Sequence, residues 1–298
     1  SIQGMHLRIG TRGSRLALVQ AERVAALLGE RGYQAELSII TTQGDTVNGI
    51  PLHEIGGQGV FVRALDDAIL AGDIDAAVHS MKDIPAKRPA GLSTCAIIKR
   101  DSPADFLVHT VPQENVRMIG TSSTRRRAQL LRHMPGVDVH PLRGNVDTRL
   151  RKLSEGQYDA IVLAEAGLER MELSVPGTRL SPETFIPSPN QGTIAVVCKD
   201  EPAVRGILSL LDHPETRFDV EVERAVMEEV GGGCFTPQGI YCRSGHLIGE
   251  ILSLDGSRQA GIEEDVISME DARRYGKILR NKGKDLIREA YQKLGLER

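Results

Sequence analysis

Cys234 stands directly behind three glycines in VGGGCFTPQG, residues 230 to 239. Glycine costs conformational entropy, so a run of three needs a sharp turn or a close approach by something bulky. A thiol stripped of neighbours on one flank can be a nucleophile, a metal ligand, a disulfide partner, an anchor for a covalent group, or a small residue in a loop. Cys234, Cys242 and His246 lack the paired short spacings of a zinc site, so no metal is expected. A phosphatase-type nucleophile would need Arg six residues after the cysteine, and Ile240 occupies that place. A second stretch, AVHSMKDIP (77 to 85), ends an apolar run in His79, Ser80, Lys82 and Asp83 just before a proline. Asp83 beside Lys82 reads either as a surface pair of little energetic weight or as a carboxylate that moves protons and offsets a cation. The third chemical feature is basic: nine Arg or Lys against two Asp between Arg117 and Lys152. That excess lies in a chain of net charge -3, which points to a local anionic ligand. The segment holds no Phe, Tyr or Trp for base stacking, so nucleic acid is not the expected partner.

These groups need elements to hold them. LRIGTRGSRLALVQAERVAALL (7 to 28) predicts a strand, a hydroxyl-bearing loop and an amphipathic helix with Leu16, Val19, Val24, Leu27 and Leu28 on its apolar face. RMIGTSSTRRRAQLLRHM (117 to 134) repeats the arrangement, with IGT again at the strand end. AGDIDAAVHS (71 to 80) and EGQYDAIVLA (155 to 164) echo each other too, running Gly, two residues, Asp-Ala, then an apolar strand. Two matched pairs in one order predict two similar α/β lobes with mixed or parallel sheets. Helix N-termini carry unpaired N–H groups and the positive dipole end, so Thr11, Ser14, Thr121, Ser122 and Ser123 are expected to line two anion-binding turns. Arg12 from one lobe and Arg125 and Arg126 from the other add planar forks suited to oxyanions, and RGNVDTRL adds Arg143, Asn145 and Arg149. No GxxxxGK[ST] is present, so a nucleoside triphosphate has little support.

FDVEVERAVMEEV (218 to 230) predicts a helix that the glycines end. IYCRSGHLIGEILSLDGS predicts antiparallel strands, and one or two charged amphipathic helices close the chain. The expected fold is therefore α/β, two lobes plus a small C-terminal α+β domain. Its 298 residues suffice for two or three domains. Hydrophobic content of 40%, no span-length apolar run and four scattered cysteines fit a reduced, cytoplasmic protein off the membrane. SIQG, ahead of Met5, reads as a cloning remnant, and no secretory leader is expected.

HSMKD (79 to 83), GTSSTRR (120 to 126), RGNVDTRL (143 to 150), DAIVLAEAGLER (159 to 170), NQG (190 to 192) and GGC (232 to 234) together resemble the porphobilinogen deaminases, also called hydroxymethylbilane synthases. The resemblance runs from about residue 7 to past 240 in the family's order and fades in the C-terminal domain. It implies a monomeric three-domain transferase of tetrapyrrole biosynthesis whose first two domains look like periplasmic-binding-protein lobes. The implied division is 5–99 with 192–216, then 100–191, then 217–298, with crossings near Lys99-Arg100 and Pro187 to Gly192.

By the same resemblance, Cys234 carries a dipyrromethane cofactor through a thioether, and the glycines leave room for its first ring. Four porphobilinogen molecules are joined head-to-tail to this primer with loss of ammonia, and hydrolysis releases the linear tetrapyrrole. Asp83 is the implied catalytic residue. Lys82, Ser80, Ser14, Thr121, Ser122, Ser123, Arg125, Arg126 and Asn145 are the implied cofactor contacts. Arg12, Arg143, Arg149, Arg170 and Gln191 are the implied contacts to porphobilinogen and the growing polypyrrole chain. The sequence departs from the family's pattern at Glu54 and Gln58, where members often carry lysine, and at Thr124 and Asp147, usually apolar or small positions.

Overall fold

The computed structural model describes residues 5–42, 46–47, 50–51, 59–233 and 235–295. Glu54, Gln58 and Cys234 lie outside the described residues. Contacts divide the chain into two compact units, Ser1–Asp101 with Gly192–Arg217, and Ser102–Gln191 with Phe218–Arg298.

In the first unit, β1 (His6–Thr11), β2 (Gln34–Ile39), β5 (Ala76–Ser80), β6 (Leu92–Ile97) and β12 (Ile194–Lys199) form one sheet in the order β2-β1-β5-β12-β6. The short strands β3 (Thr46–Val47) and β4 (Ile50–Pro51) pair with each other. β1 runs parallel to β2 and β5, while β12 is antiparallel to β5 and β6. The helix Arg15–Glu30 covers one face, burying Ala21, Val24 and Leu28 against Leu7, Ile9, Val78 and Val196. Leu16, Val19 and Leu27, expected on the same apolar face, are half-buried.

The second unit repeats the plan. β7 (Asp105–His109), β8 (Met118–Gly120), β9 (Asp138–His140), β10 (Ala160–Ala164) and β11 (Gly177–Leu180) take the order β9-β8-β10-β7-β11, again three parallel strands followed by two antiparallel ones. The register repeats as well: Ile9 and Gly10 face Ala76 and Ala77, as Ile119 and Gly120 face Ala160 and Ile161. Asp75 takes the backbone N–H of Arg8 at 2.7 Å, and Asp159 takes those of Arg117 and Met118 at 3.0 and 2.8 Å. The two Asp-Ala echoes are thus carboxylates that fix the starts of the matching strands β1 and β8.

The second unit also holds a three-stranded antiparallel sheet, β13 (Gln238–Arg243), β14 (His246–Leu252) and β15 (Gln259–Asp265), packed on the single long helix Met269–Lys293. The helix expected over 218–230 spans Pro214–Val230, and its first residues belong to the first unit. Proline suits a first turn, where its missing N–H would have had no partner, and His213 Nδ1 takes the Thr216 N–H at 3.2 Å.

Candidate functional site

In the first unit β5 buries Ala76 to His79, ends at half-buried Ser80 and passes into a 3₁₀ turn, Met81–Asp83. Lys82 faces solvent and Asp83 is half-buried. Burial pushes the Asp83 carboxyl up, while Lys82 and then Arg12 pull it back. Arg12 follows β1 directly, and its guanidinium carbon lies 4.0 Å from the centre of the Phe61 ring, in the helix Gly59–Leu70. Burial lowers its pKa and Asp83 raises it. Ser80 Oγ donates to Gln20 Oε1 at 3.0 Å, and Gln20 is buried on the helix face that packs against the sheet.

His79 is buried, and burial together with Arg88 and Arg12 pushes it down to about 4, so it is neutral at physiological pH. Arg88 is engaged by both oxygens of Asp66 at 2.9 and 2.8 Å.

In the second unit the centre is a residue that the sequence reading missed. Asp105, at the start of β7, is 1% exposed and takes Arg125 Nη1 at 2.8 Å, Arg126 Nε and Nη2 at 3.1 and 2.9 Å, and Gln191 Nε2 at 3.0 Å. Burial alone would raise its pKa, but Arg125 and Arg126 more than reverse this and hold it far below the usual carboxylate range. Arg125 also reaches Gln129 Oε1 and the Ile186 carbonyl. Arg125 and Gln191, expected at cofactor and substrate, are 7% and 1% exposed and hydrogen-bonded to Asp105.

Arg149 and Arg143 stand near Arg126, whose guanidinium is largely buried on Asp105. Burial lowers Arg149, and Arg126 and Arg143 lower it further. Such like-charge crowding favours an anion. The Nε of Arg149 is fixed on the Gly144 carbonyl at 2.7 Å, and Arg143 is exposed. Arg170 stands half-buried in the last turn of a separate helix, Glu165–Arg170.

The hydroxyl and amide groups build the loops. Ser14 Oγ, Ser123 Oγ and Asn145 Oδ1 cap the helices Arg15–Glu30, Thr124–His133 and Val146–Ser154, accepting N–H groups of Ala17, Arg126 and Thr148 at 3.3, 3.1 and 2.8 Å. Ser122 Oγ both donates to and accepts from the Leu142 backbone, tying the Arg126 loop to the Arg143 loop. Thr121 is buried, and its Oγ1 takes the Ser123 N–H at 3.2 Å. Thr124 opens its helix, and Asp147 sits in a helix first turn, where the dipole favours it.

Gly231 and Gly233 have φ of +70° and +68°, and a Cβ on Gly232 would lie 2.4 Å from Thr236 Oγ1. Glycine is required here by backbone conformation and by space, which answers the question the run raised.

Two repeated α/β lobes, one ending a strand in a carboxylate between cations and the other crowding arginines at its turns, define an enzyme class suited to multiply charged organic anions. Residues 7–204 match the porphobilinogen deaminase dipyrromethane cofactor binding domain, and residues 218–285 match the porphobilinogen deaminase C-terminal domain. A probable porphobilinogen deaminase of Methanosarcina acetivorans is 50% identical, covering 95% of this chain and 94% of that protein. The porphobilinogen deaminase of Geobacter sulfurreducens is 39% identical, covering 96% and 95%. The chain belongs to the porphobilinogen deaminase (hydroxymethylbilane synthase) family, enzymes of tetrapyrrole biosynthesis. Among solved structures, the second substrate-binding domain of GlnP from Lactococcus lactis is similar over 69% of this chain and 87% of that one, with 12% identity and a TM-score of 0.44.

Taken unit by unit, the residues suit a dipyrromethane: in the second unit Arg143 and Arg149, near Arg126, offer cations for its carboxylates, and in the first unit Asp83 offers an acceptor for pyrrole N–H groups.

Proposed function

We propose that this enzyme condenses four porphobilinogen molecules head-to-tail, with loss of ammonia, and that Cys234 carries the dipyrromethane through a thioether. The observation that carries the reading is Asp83. Burial raises its pKa while Lys82 and Arg12 oppose the rise, so one group can accept a proton and return it within a turnover. When bound, the dipyrromethane supplies the terminal pyrrole carbon to which the first substrate is joined.

As a carboxylate, Asp83 accepts the N–H of an incoming porphobilinogen and offsets the positive charge that its ring gains as ammonia leaves. As an acid, it gives a proton back. Lys82 and Arg12 keep the ionised form accessible against burial, and neutral His79 spares the site a further positive charge. Arg126, Arg143 and Arg149 hold acetate and propionate groups through charge-assisted bonds, with Arg170 contributing from its own helix. Each such bond is worth about 1.5–3 kcal/mol, roughly 10- to 100-fold in affinity.

The same reading includes three domains, with the third carrying Cys234, and action as a cytoplasmic monomer. No helix among the described residues is long and apolar enough to cross a membrane. Intact-mass measurement tests the attachment. Native protein should exceed its sequence mass by two condensed pyrrole units, and Cys234→Ala should not. Protein purified with ample precursor but lacking the added mass would overturn the proposal.

A further inference from the structure

In the second unit a cavity of about 450 Å³ lies between the Thr121–Thr124 turn, the loop that follows β9 and the C-terminal part of the chain. Three cations from three elements line it: Arg127 in the helix Thr124–His133, Arg143 in the loop, and Lys293 at the end of the helix Met269–Lys293. All three are exposed, and among the described residues none of them enters an ion pair. Asp255, the carboxylate on the same walls, is taken up by its own turn. It accepts the Ser253 and Ser257 hydroxyls, each at 2.7 Å, and the Ser257 N–H at 3.0 Å. That turn is seated on the Thr124–His133 helix: Arg132 Nη1 donates to the Gly256 carbonyl at 3.0 Å, and a Cβ on Gly256 would overlap the Ala128 carbonyl oxygen. The walls are therefore held in place by the fold, with three like charges left to share one space.

We propose that this cavity seats one pyrrole ring of the growing chain, with Arg127 and Lys293 as contacts to its carboxylates. The assignment rests on the reading that the enzyme joins porphobilinogen units. Charge and size both favour such an occupant. Three cations against one carboxylate leave two positive charges on the walls, and each ring brings one acetate and one propionate. The volume falls among small-molecule pockets, about 300–1,000 Å³, which suits an organic ring rather than a single ion. Thr121 to Ser123 and Arg143, expected at the ligand, belong to the same lining, so the cavity extends that set. Arg127 and Lys293 are the additions. Arg127 falls one residue past GTSSTRR, and Lys293 lies in the C-terminal domain, where the family motifs fade.

The test uses full-length holoenzyme and porphobilinogen itself. Arg127→Met and Lys293→Met keep a long stem and remove the charge, and both should melt like wild type because the side chains are exposed. An exposed charge pair shifts an equilibrium modestly, so each variant should lower kcat/KM for porphobilinogen about two- to fivefold at low ionic strength. Lys293→Glu should fall further than Lys293→Met, since it repels the carboxylate that the lysine attracts. The deficits should shrink as salt is raised, because exposed charges are screened, and a merely structural change would not respond in this way. Intact-mass spectra taken during elongation should show one chain-length intermediate depleted in the variants, the one whose ring occupies the cavity. Wild-type kcat/KM in the double variant Arg127→Met/Lys293→Met would overturn the assignment, as would a deficit that salt leaves unchanged. Wild-type enzyme that does not consume porphobilinogen would overturn the underlying reading as well, whereas active wild type with unaffected variants removes the cavity alone.

Discussion

Arg126 directs Nε and Nη2 at one oxygen of Asp105, at 3.1 and 2.9 Å. That carboxylate also holds Arg125 and Gln191, so one buried charge organises two cations and the chain just before the return to the first unit. Asp105→Asn should cost about 3–5 kcal/mol of stability in urea unfolding, because it leaves Arg125 buried without its counter-charge. The pH dependence follows from its depressed pKa. The stabilisation is complete above the unfolded value of about 3.9 and is lost as pH falls below it towards the folded value. Wild type should lose stability steeply in that acid range, and Asp105→Asn should not.

His79 titrates in a different window. Burial, then Arg88 and Arg12, lower it from 6.5 to about 4. The unfolded chain therefore takes a proton first as pH falls, and stability declines from pH 6.5 down to about 4. The shift corresponds to about 3 kcal/mol across that window. His79→Asn should flatten this part of the stability curve in urea melts between pH 4 and 7. An unchanged slope would mean that His79 gains its proton in the folded state as readily as in the unfolded one.

Much of this site was legible because some of its residues answer to local rules. IGT before a helix and Asp-Ala before a strand recur because each lobe needs the same turn and the same strand anchor, and Asp75 and Asp159 serve that need in both. The basic segment was visible as a charge excess. That Arg125 and Arg126 both turn onto a buried carboxylate was not, because Asp105 lies 20 residues away from Arg125 at the head of an apolar strand. A lone carboxylate opening such a run was the available signal. Gln20 offered a similar one, a polar side chain on a helix's apolar face, explained only when Ser80 arrives from 60 residues on. Hydroxyls are the ambiguous case: Ser14 and Ser123 look alike as ligand donors and as caps, and only hydrogen-bond geometry shows the capping.

Asp83→Asn should separate chemistry from folding. Since burial raises this carboxyl, the fold favours its protonated form, and ionisation costs stability once pH rises above the unfolded value. The amide removes that cost, so the variant should melt no lower than wild type at pH 8. Turnover of porphobilinogen should fall about 10²–10⁴-fold, the usual contribution of a positioned acid–base group. In wild type, kcat/KM should decline on the acid side around a pKa above the ordinary aspartate value. Turnover near the wild-type rate in Asp83→Asn would remove Asp83 from the mechanism.

Gly10 and Gly120 occupy the same place in the two lobes, yet substitution should affect them unequally. A Cβ at position 10 would lie 2.3 Å from Ile74 Cδ1, the far end of a flexible side chain. At position 120 it would lie 2.9 Å from two atoms of the Tyr158 ring, and that ring is tethered by its hydroxyl to the Pro141 carbonyl at 2.5 Å. A tethered ring cannot rotate away, so the strain must pass into the end of β8 and the Thr121–Ser123 turn that caps the Arg126 helix. Gly120→Ala should therefore cost about 1–3 kcal/mol, the range for overpacking, and Gly10→Ala less. The double variant Gly120→Ala/Tyr158→Leu should recover part of the loss in a thermal-melt cycle, since the shorter side chain frees the space. Simple additivity of the two changes would show that the strain lies elsewhere than between these two residues.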